Sequence, residues 1–251
     1  MTTRLILLGT AAAIPDAAHE NTYMVLDGPH GAVMIDCAGS PIGRLELAGV
    51  DHARLRAVVI THLHPDHSYG LPMLLMGLWL LGRREPLPIY APDSVASRLR
   101  AIMDAFEWSD WPHLFSVEFR AIPDAPNAWV MDTADFHITA SRNQHMVLTV
   151  SLRIENRRTG RVTVYSSDTA PCEAVIDLAR GCDLLVHEAA GATLGHSSAA
   201  QAGEIAKSAG AKQLVLVHYP VRDDPVQLAA QARSTFAGPV EVAQDMAEYP
   251  A

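Results

Sequence analysis

The sequence is poor in the patterns that most directly announce a chemistry. Its 251 residues hold only three cysteines, Cys37, Cys172 and Cys182. None stands in Cys-x-x-Cys spacing, so neither a disulfide framework nor a thiolate zinc site is indicated, and all three read as small buried side chains. No Gly-x-x-x-x-Gly-Lys segment offers a phosphate loop, which leaves Gly9-Thr10 as a turn. No Gly-x-Ser-x-Gly elbow offers a nucleophilic serine. Long apolar runs are missing too: MTTRLILLGT is too short for a signal-peptide core, and LPMLLMGLWLLG is too short to span a bilayer. The expectation is a soluble cytoplasmic protein with no membrane partner. Cations are scarce, 19 Lys and Arg against 28 Asp and Glu for a formal charge of −9. Unspecific attraction to nucleic acid is therefore weak, unless a local basic strip or bound cations reverse the sign.

What is present is ordinary globular material, 49% hydrophobic and 19% charged, without repeats or low-complexity tracts. The length suits one large domain over residues 1–251. RLILLGT reads as a strand, TYMVLDG and AVMIDCA as a hairpin around Gly28 and Gly31, and LRAVVITH as a buried strand. Helical spacing covers 71–82 and 93–106, with a short strand at Pro88–Ala91 between them. HITASRNQ, LTVSLRIEN and RVTVYSSD form a second strand group, the last two joined by a turn at Arg157–Gly160. The final third alternates: strand DLLVHEA, helix SSAAQAGEIAKSAG, strand QLVLVHYP, helix DPVQLAAQARSTF, strand PVEVA. Strand groups interleaved with helices indicate an α/β architecture of helix-covered sheets. Residues 104–119 are the least regular, and their Trp108, Trp111 and Phe115 close a core or, alternatively, form a lid.

One short stretch stands apart. In VITHLHPDHSYGL, His62, His64, Asp66 and His67 crowd together directly after a buried strand. Imidazoles and carboxylates suit zinc, iron or manganese. His62 and His64 share a side of the chain, while Asp66 and His67 turn away after Pro65, a division that favours two neighbouring ions over one.

His62-x-His64-x-Asp66-His67 after an apolar strand resembles the signature of the metallo-β-lactamase fold superfamily. That likeness implies a four-layer αβ/βα sandwich with metals at one edge. The remaining positions the pattern asks for occur in order: His145, Asp168 in VYSSDTAPC, and His218 in LVLVHY. Within the superfamily, LLGTAAAIP, MIDCAGS, SSDTAPC and HEAA…GHSSAAQAGEIAKSAGAKQLVLVHY resemble the ribonuclease Z branch over nearly the whole chain. There are departures. No segment has room for the arm with which long-form members grip transfer RNA, Asp36-Cys37-Ala38 replaces Asp-Cys-Gly, and Tyr219-Pro220-Val221-Arg222 replaces the Ser-Pro-Arg block. Metal-dependent hydrolysis is implied, transfer-RNA maturation is not.

The resemblance implies that His62, His64 and His145 hold one divalent ion, that Asp66, His67 and His218 hold a second, and that Asp168 bridges them. Zinc is the first expectation, and manganese or iron fit the same ligands. A metal-bridging hydroxide would be the nucleophile, with Asp66 as its proton acceptor. His196 would act near the substrate phosphate, oriented and charged by Glu188. His187 and Glu188 alternate faces on their strand, so only one can face the site, and Glu188 is the choice. Ser197 or Ser198 caps the following helix. Asn21 reaches the metal edge by analogy with the branch alone, and His19, His30, His52, His113 and His137 read as surface or local groups. The expected activity is hydrolysis of a small phosphodiester, a nucleotide or an RNA end, and a homodimer is implied by the likeness. The alternatives are a lactone, thioester or sulfate-ester hydrolase on the same metals, or a non-enzymatic RNA-binding relative, since the fold alone does not choose.

Overall fold

The computed structural model describes residues 2–251, and all structural statements concern these residues. The strands are β1 (Arg4–Gly9), β2 (Tyr23–Gly28), β3 (Gly31–Ile35), β4 (Leu55–Val59), β5 (Leu87–Pro92), β6 (Val117–Ile122), β7 (Ala128–Asp132), β8 (Phe136–Arg142), β9 (Val150–Asn156), β10 (Val162–Tyr165), β11 (Leu184–Glu188), β12 (Leu214–Val217), β13 (Val240–Val242) and β14 (Glu248–Pro250). The helices are α1 (Pro41–Leu47), α2 (Pro65–Ser68), α3 (Leu71–Leu80), α4 (Asp93–Asp104), α5 (Glu173–Leu178), α6 (Ala199–Ala209) and α7 (Pro225–Arg233).

Two mixed sheets result, ordered β14-β1-β2-β3-β4-β5-β6 and β13-β12-β11-β10-β9-β8-β7. Their facing sides carry Leu5, Leu7, Met24 and Leu26 from one sheet and Phe136, Ile138, Leu152, Tyr165 and Val186 from the other, all buried in one apolar cluster. The outer sides are covered separately. Leu45 of α1, Leu74, Leu75 and Leu78 of α3 and Leu99 of α4 seal the first sheet, while Leu178, Ala202, Ile205 and Leu228 of α5 to α7 seal the second. The layers therefore run α, β, β, α, the sandwich that the sequence implied. The alternation along each central strand, one residue inward and the next toward helices, explains why these strands read as nearly continuous apolar runs.

The structure adds elements that the patterning does not register. The stretch treated as irregular ends in β6, an edge strand whose VEFRAI carries charge on its open side and so lacks a buried-strand signature. Strand β7 and the short helices α1 and α5 were likewise unassigned, being too brief for a periodic signal. The two expected helices at 71–82 and 93–106 stop at Leu80 and Asp104. Trp108 and Phe115 are core residues under α4, and Trp111 stacks on Trp79 at a ring separation of 5.1 Å. No helix among the described residues is long and apolar enough to cross a membrane. The three cysteines are free, with Cys37 and Cys182 buried and Cys172 half-buried.

Candidate metal centre

The residues of the expected site gather at one edge of the sandwich, most of them in the segments that follow strand ends. His62 and His64 follow β4. Pro65 then starts α2, with His64 as its N-cap. A proline at this first helical position ends the extended chain and turns Asp66 and His67 onto the first helical turn. His145 follows β8, Asp168 follows β10, Glu188 ends β11 and His218 follows β12 directly. Such carboxyl-terminal strand ends project side chains into a shared crevice.

The backbone bends sharply to do this. Asp36, Ser167 and His218 adopt left-handed φ values of 57°, 50° and 48°, each costing on the order of 1 kcal/mol or more, so their occurrence together at one edge marks a functional rather than an accidental strain. Two glycines admit close approaches that no side chain would allow. At Gly195, φ is +80° and a Cβ would lie 2.9 Å from His145 Nδ1; its carbonyl accepts from that nitrogen at 2.6 Å. At Gly70 a Cβ would lie 2.7 Å from the Ala38 carbonyl oxygen, where α2 abuts the loop after β3.

Two donor sets share Asp168. In the first, His64 Nδ1 lies 3.2 Å from His62 Nε2 and 3.1 Å from His145 Nε2. In the second, Asp168 Oδ1 is 3.3 Å from His67 Nε2 and Asp168 Oδ2 is 3.3 Å from His218 Nε2, with Asp66 Oδ2 3.7 Å from His67 Nε2. The ligand atoms of His62, His64, His145 and Asp168 all fall within 4.8 Å of one another, as do those of Asp66, His67 and His218. His196 also converges with Asp168 and His218 in this sense.

This donor set fits divalent metal ions. His67 Nε2 and Asp168 Oδ1 are buried and have no hydrogen-bond partner, although they are 3.3 Å apart. Leaving two such buried polar atoms unsatisfied would be expensive, and a cation between them would satisfy both. Burial holds the His62 pKa well below its usual value and, together with it, lowers those of His145 and His218, the last to about 4, so these imidazoles are neutral and offer lone pairs. For Asp168 burial acts upward, but His218 and His67 outweigh it and keep the carboxylate ionised, well below the usual range. For His67 burial acts downward, and the carboxylates of Asp168 and Asp36 outweigh it, raising its pKa well above the usual value. A divalent cation held between these groups would take the place of that proton.

Behind the ligands lies a layer that the motif analysis did not assign. Asp36 is fully buried; it accepts from His67 Nδ1 at 2.8 Å and from the Thr61 backbone N–H at 2.8 Å, and Thr61 Oγ1 lies 3.0 Å from both its oxygens. Ser167 Oγ donates to Thr61 Oγ1 at 2.8 Å, and Tyr165 Oη reaches Asp36 at 3.4 Å, so the clasp ties one sheet to the other beneath the centre. Asn143 Nδ2 braces the His145 segment to that of Asp168 through Ser151 Oγ and the carbonyls of Ser166 and Asp168. Asp36 had a sequence signal, an acid closing an apolar strand beside Cys37; Thr61 and Asn143 had only their adjacency to ligand positions.

To one side, His196 Nδ1 lies 3.0 Å from Glu188 Oε1. Glu188 is fully buried and also accepts from the backbone N–H groups of Thr169, Ala190 and Ser197. Burial pushes the Glu188 carboxyl up to about 7, and its hydrogen bond in turn raises the His196 pKa. His187 points to the opposite face of β11, its Nδ1 on the Glu188 carbonyl. Ser198 caps α6 in a reciprocal capping box with Gln201. Asn21 does not reach the ligands; its amide donates to the Ala12 carbonyl at 2.7 Å and shapes the loop after β1. His30, His137 and His52 pair with Asp135, Asp132 and Asp51 away from the centre, and His19 pairs with Asp16 in the loop after β1.

A helix-covered double sheet whose strand ends gather five imidazoles around a shared aspartate defines a metal-site fold of the metallo-β-lactamase kind. The family described as beta-lactamase superfamily domain matches residues 32–219. The chain belongs to this superfamily, in its ribonuclease Z-like branch. It is 26% identical to the ribonuclease Z of Methanothermobacter thermautotrophicus over 294 aligned positions, covering 95% of this chain and 94% of that protein. To the ribonuclease Z of Mycobacterium bovis it is 29% identical, with 96% of each covered. Both alignments are longer than the 251 residues of this chain, so those relatives carry insertions that it lacks. Among solved structures, the metallo-β-lactamase fold protein YhfI from Bacillus subtilis superposes with a TM-score of 0.83 at 24% identity, and human tRNase Z, short form, with 0.80 at 24%; each covers 98% of both chains.

Proposed function

We propose that this protein is a dinuclear metal-dependent phosphodiesterase. The observation that carries this reading is the buried aspartate shared by two converging ligand sets, with the His196–Glu188 pair beside it. In this assignment His62, His64 and His145 hold one ion, Asp66, His67 and His218 the other, and Asp168 both. Zinc is the first choice for five imidazoles with two carboxylates, and manganese or iron suit the same donors. When bound, the ions supply charge stabilisation for phosphoryl oxygens and activate water at neutral pH.

The chain's own residues supply the rest. Asp66, at the mouth and partly exposed, has a carboxylate oxygen free to accept the proton of attacking water. His196 is held by Glu188 through Nδ1, which leaves Nε2 to donate a proton to the leaving oxygen. Glu188 fixes that tautomer and favours the protonated ring. The relatives' names support a phosphodiester substrate, with a small diester, a nucleotide or an RNA end as the candidates. A homodimer, which the likeness to the ribonuclease Z branch implies, and a cytoplasmic location are proposed with it.

The test is turnover of bis(p-nitrophenyl) phosphate by protein of measured metal content, run beside a lactone and a thioester. Diesterase activity that rises with bound metal is expected. Protein with two ions per chain that hydrolyses the lactone or thioester and leaves the diester intact would overturn the assignment.

A further inference from the structure

The mouth of the centre has a chemical character that the metal ligands do not determine. Six segments come to this edge: 10–22, 36–40, 60–70, 143–149, 166–172 and 189–198, and a seventh, 218–224, closes it. The first six contain no Lys or Arg, and the seventh has Arg222 followed by Asp223 and Asp224. Acids are present on the rim, as Asp16, Glu20 and Asp66. The nearest arginine of α1, Arg44, is bound to Asp245, which also accepts from Thr10 Oγ1 and the Glu20 N–H. A polyanion needs several cations along its path, one for each phosphate neutralised. This rim offers one.

It offers apolar surface instead. The loop after β1 is laid against the residues after His218, with the Ala12 N–H on the Tyr219 carbonyl at 3.0 Å and a bridge between Ala11 and Tyr219. Between them runs a cleft of about 360 Å³ lined by the apolar Ala12, Ala13, Ile14, Pro15, Pro220 and Val221, with Asp16 and Arg222 as its only charged residues. Ile14 is 76% exposed, an unusual state for isoleucine in a loop whose ends are tied down. Two prolines stiffen the walls, so the cleft is preformed. On the opposite flank, beside His145 and His196, Met146 and Leu194 are also exposed.

We infer that the cleft between the loop after β1 and residues 220–222 receives an uncharged aromatic or aliphatic ester group of a small phosphodiester, the group that stays on phosphorus while the other leaves toward His196. The inference rests on the phosphodiesterase reading and deepens it: among its candidates it selects a compact monoanion with an apolar substituent over a longer nucleic-acid strand. Charge complementarity selects this occupant. The metal centre attracts a single phosphate, and the rim beyond it accepts a neutral group in preference to further anions.

The test compares two diesters with the same p-nitrophenolate leaving group, one carrying a phenyl and the other a methyl ester on phosphorus. For metal-loaded protein, kcat/KM is expected to favour the phenyl ester on the order of 10-fold over its advantage in uncatalysed hydrolysis, the scale of filling or leaving empty a small apolar pocket. Ile14→Ser and Val221→Ser should abolish that preference, read as the ratio of kcat/KM for the phenyl ester to that for the methyl ester in the same variant. As a readout independent of activity, saturation transfer from metal-free protein to the phenyl protons should be seen with wild type and lost in the Ile14→Ser, Val221→Ser double variant. Equal use of the two esters, or a preference that survives both substitutions, would overturn the cleft assignment while the phosphodiesterase reading stands. Efficient turnover of an RNA oligomer with a steep loss on raising salt would overturn it too. Hydrolysis of neither diester by fully loaded protein would instead remove the underlying reading.

Discussion

Replacing Asp36 by Asn isolates the contribution of a residue that touches no substrate. The choice of Asn is deliberate, because Asn tolerates the left-handed φ of 57° found there and the backbone is not a confounding factor. The carboxylate accepts from Thr61 N–H through Oδ1 and from His67 Nδ1 through Oδ2, both at 2.8 Å. An amide has only one accepting oxygen. If it stays on Thr61, the NH₂ group meets His67 Nδ1, and the ring must move its proton to Nε2, the atom that faces Asp168 at 3.3 Å. A protonated Nε2 cannot ligate. If the amide flips, the buried Thr61 N–H loses its acceptor, at about 1–3 kcal/mol. The first course weakens the ion held by Asp66, His67 and His218 by roughly 10–100-fold, the usual penalty for losing such an outer partner and equal to about 1.4–2.8 kcal/mol. Competitive chelator titration, resolving the two equivalents of metal, measures this directly. The ion held by His62, His64 and His145 should be affected much less. Unchanged affinity for both equivalents, with unfolding of the metal-free protein also unchanged, would refute the reasoning.

Other outcomes follow from the same geometry. His196→Ala should reduce diester turnover on the order of 100-fold or more, as expected for loss of a general acid, with metal content intact; unchanged turnover would remove His196 from the mechanism. Chelation should lower the melting temperature: at free metal 100-fold above its dissociation constant the ion contributes about 2.7 kcal/mol, or roughly 5–10 °C for a chain of this size by calorimetry. Buried His187 is held neutral, burial pushing its pKa down to about 4 from an ordinary 6.5. Below pH 6.5 the unfolded chain takes up this proton and the folded one does not, so stability falls as pH drops toward 4, by about 3 kcal/mol in all. His187→Gln should flatten that part of the stability profile relative to wild type, read by denaturant unfolding at a series of pH values. In the core, Phe136→Ala should cost about 3–5 kcal/mol, since its ring is buried between the two sheets.

The convergence of the candidate ligands was legible because these residues are chemically expensive. Three imidazoles and a carboxylate in one loop have few other uses, and strand-like LRAVV and LVLV announce the elements that carry His62 and His218. The double sheet followed from the same apolar runs, which are readable when a strand is buried on both sides. Legibility failed where burial was partial or the element brief. Edge strand β6 is charged along its open side, and α1 is a two-turn helix whose proline and glycine carry little periodic signal. The outer layer of the site failed for a different reason. Thr61, Asn143 and Ser167 are common polar residues, and their importance comes from partners up to 106 positions away, as in the Ser167–Thr61 hydrogen bond.

That long-range bond suggests why the centre and the fold are one problem. Asp36 and Thr61 belong to the first sheet and Tyr165 and Ser167 to the second, and the four meet under His67 and Asp168. The clasp orients His67 and Asp168, the proposed ligand of the second ion and the proposed bridge, together, so any sliding of one sheet over the other would separate them. Ions bound above the clasp resist the same displacement from the other side. Metal affinity and sheet registry should therefore be coupled: Ser167→Ala, which removes the donor to Thr61 without touching a ligand, should weaken metal binding and lower metal-free stability together, the latter by about 1 kcal/mol. Measuring both in one variant, by chelator titration and by urea unfolding, tests the coupling. A loss of stability with metal affinity fully retained would show that the sheets hold their registry without the clasp.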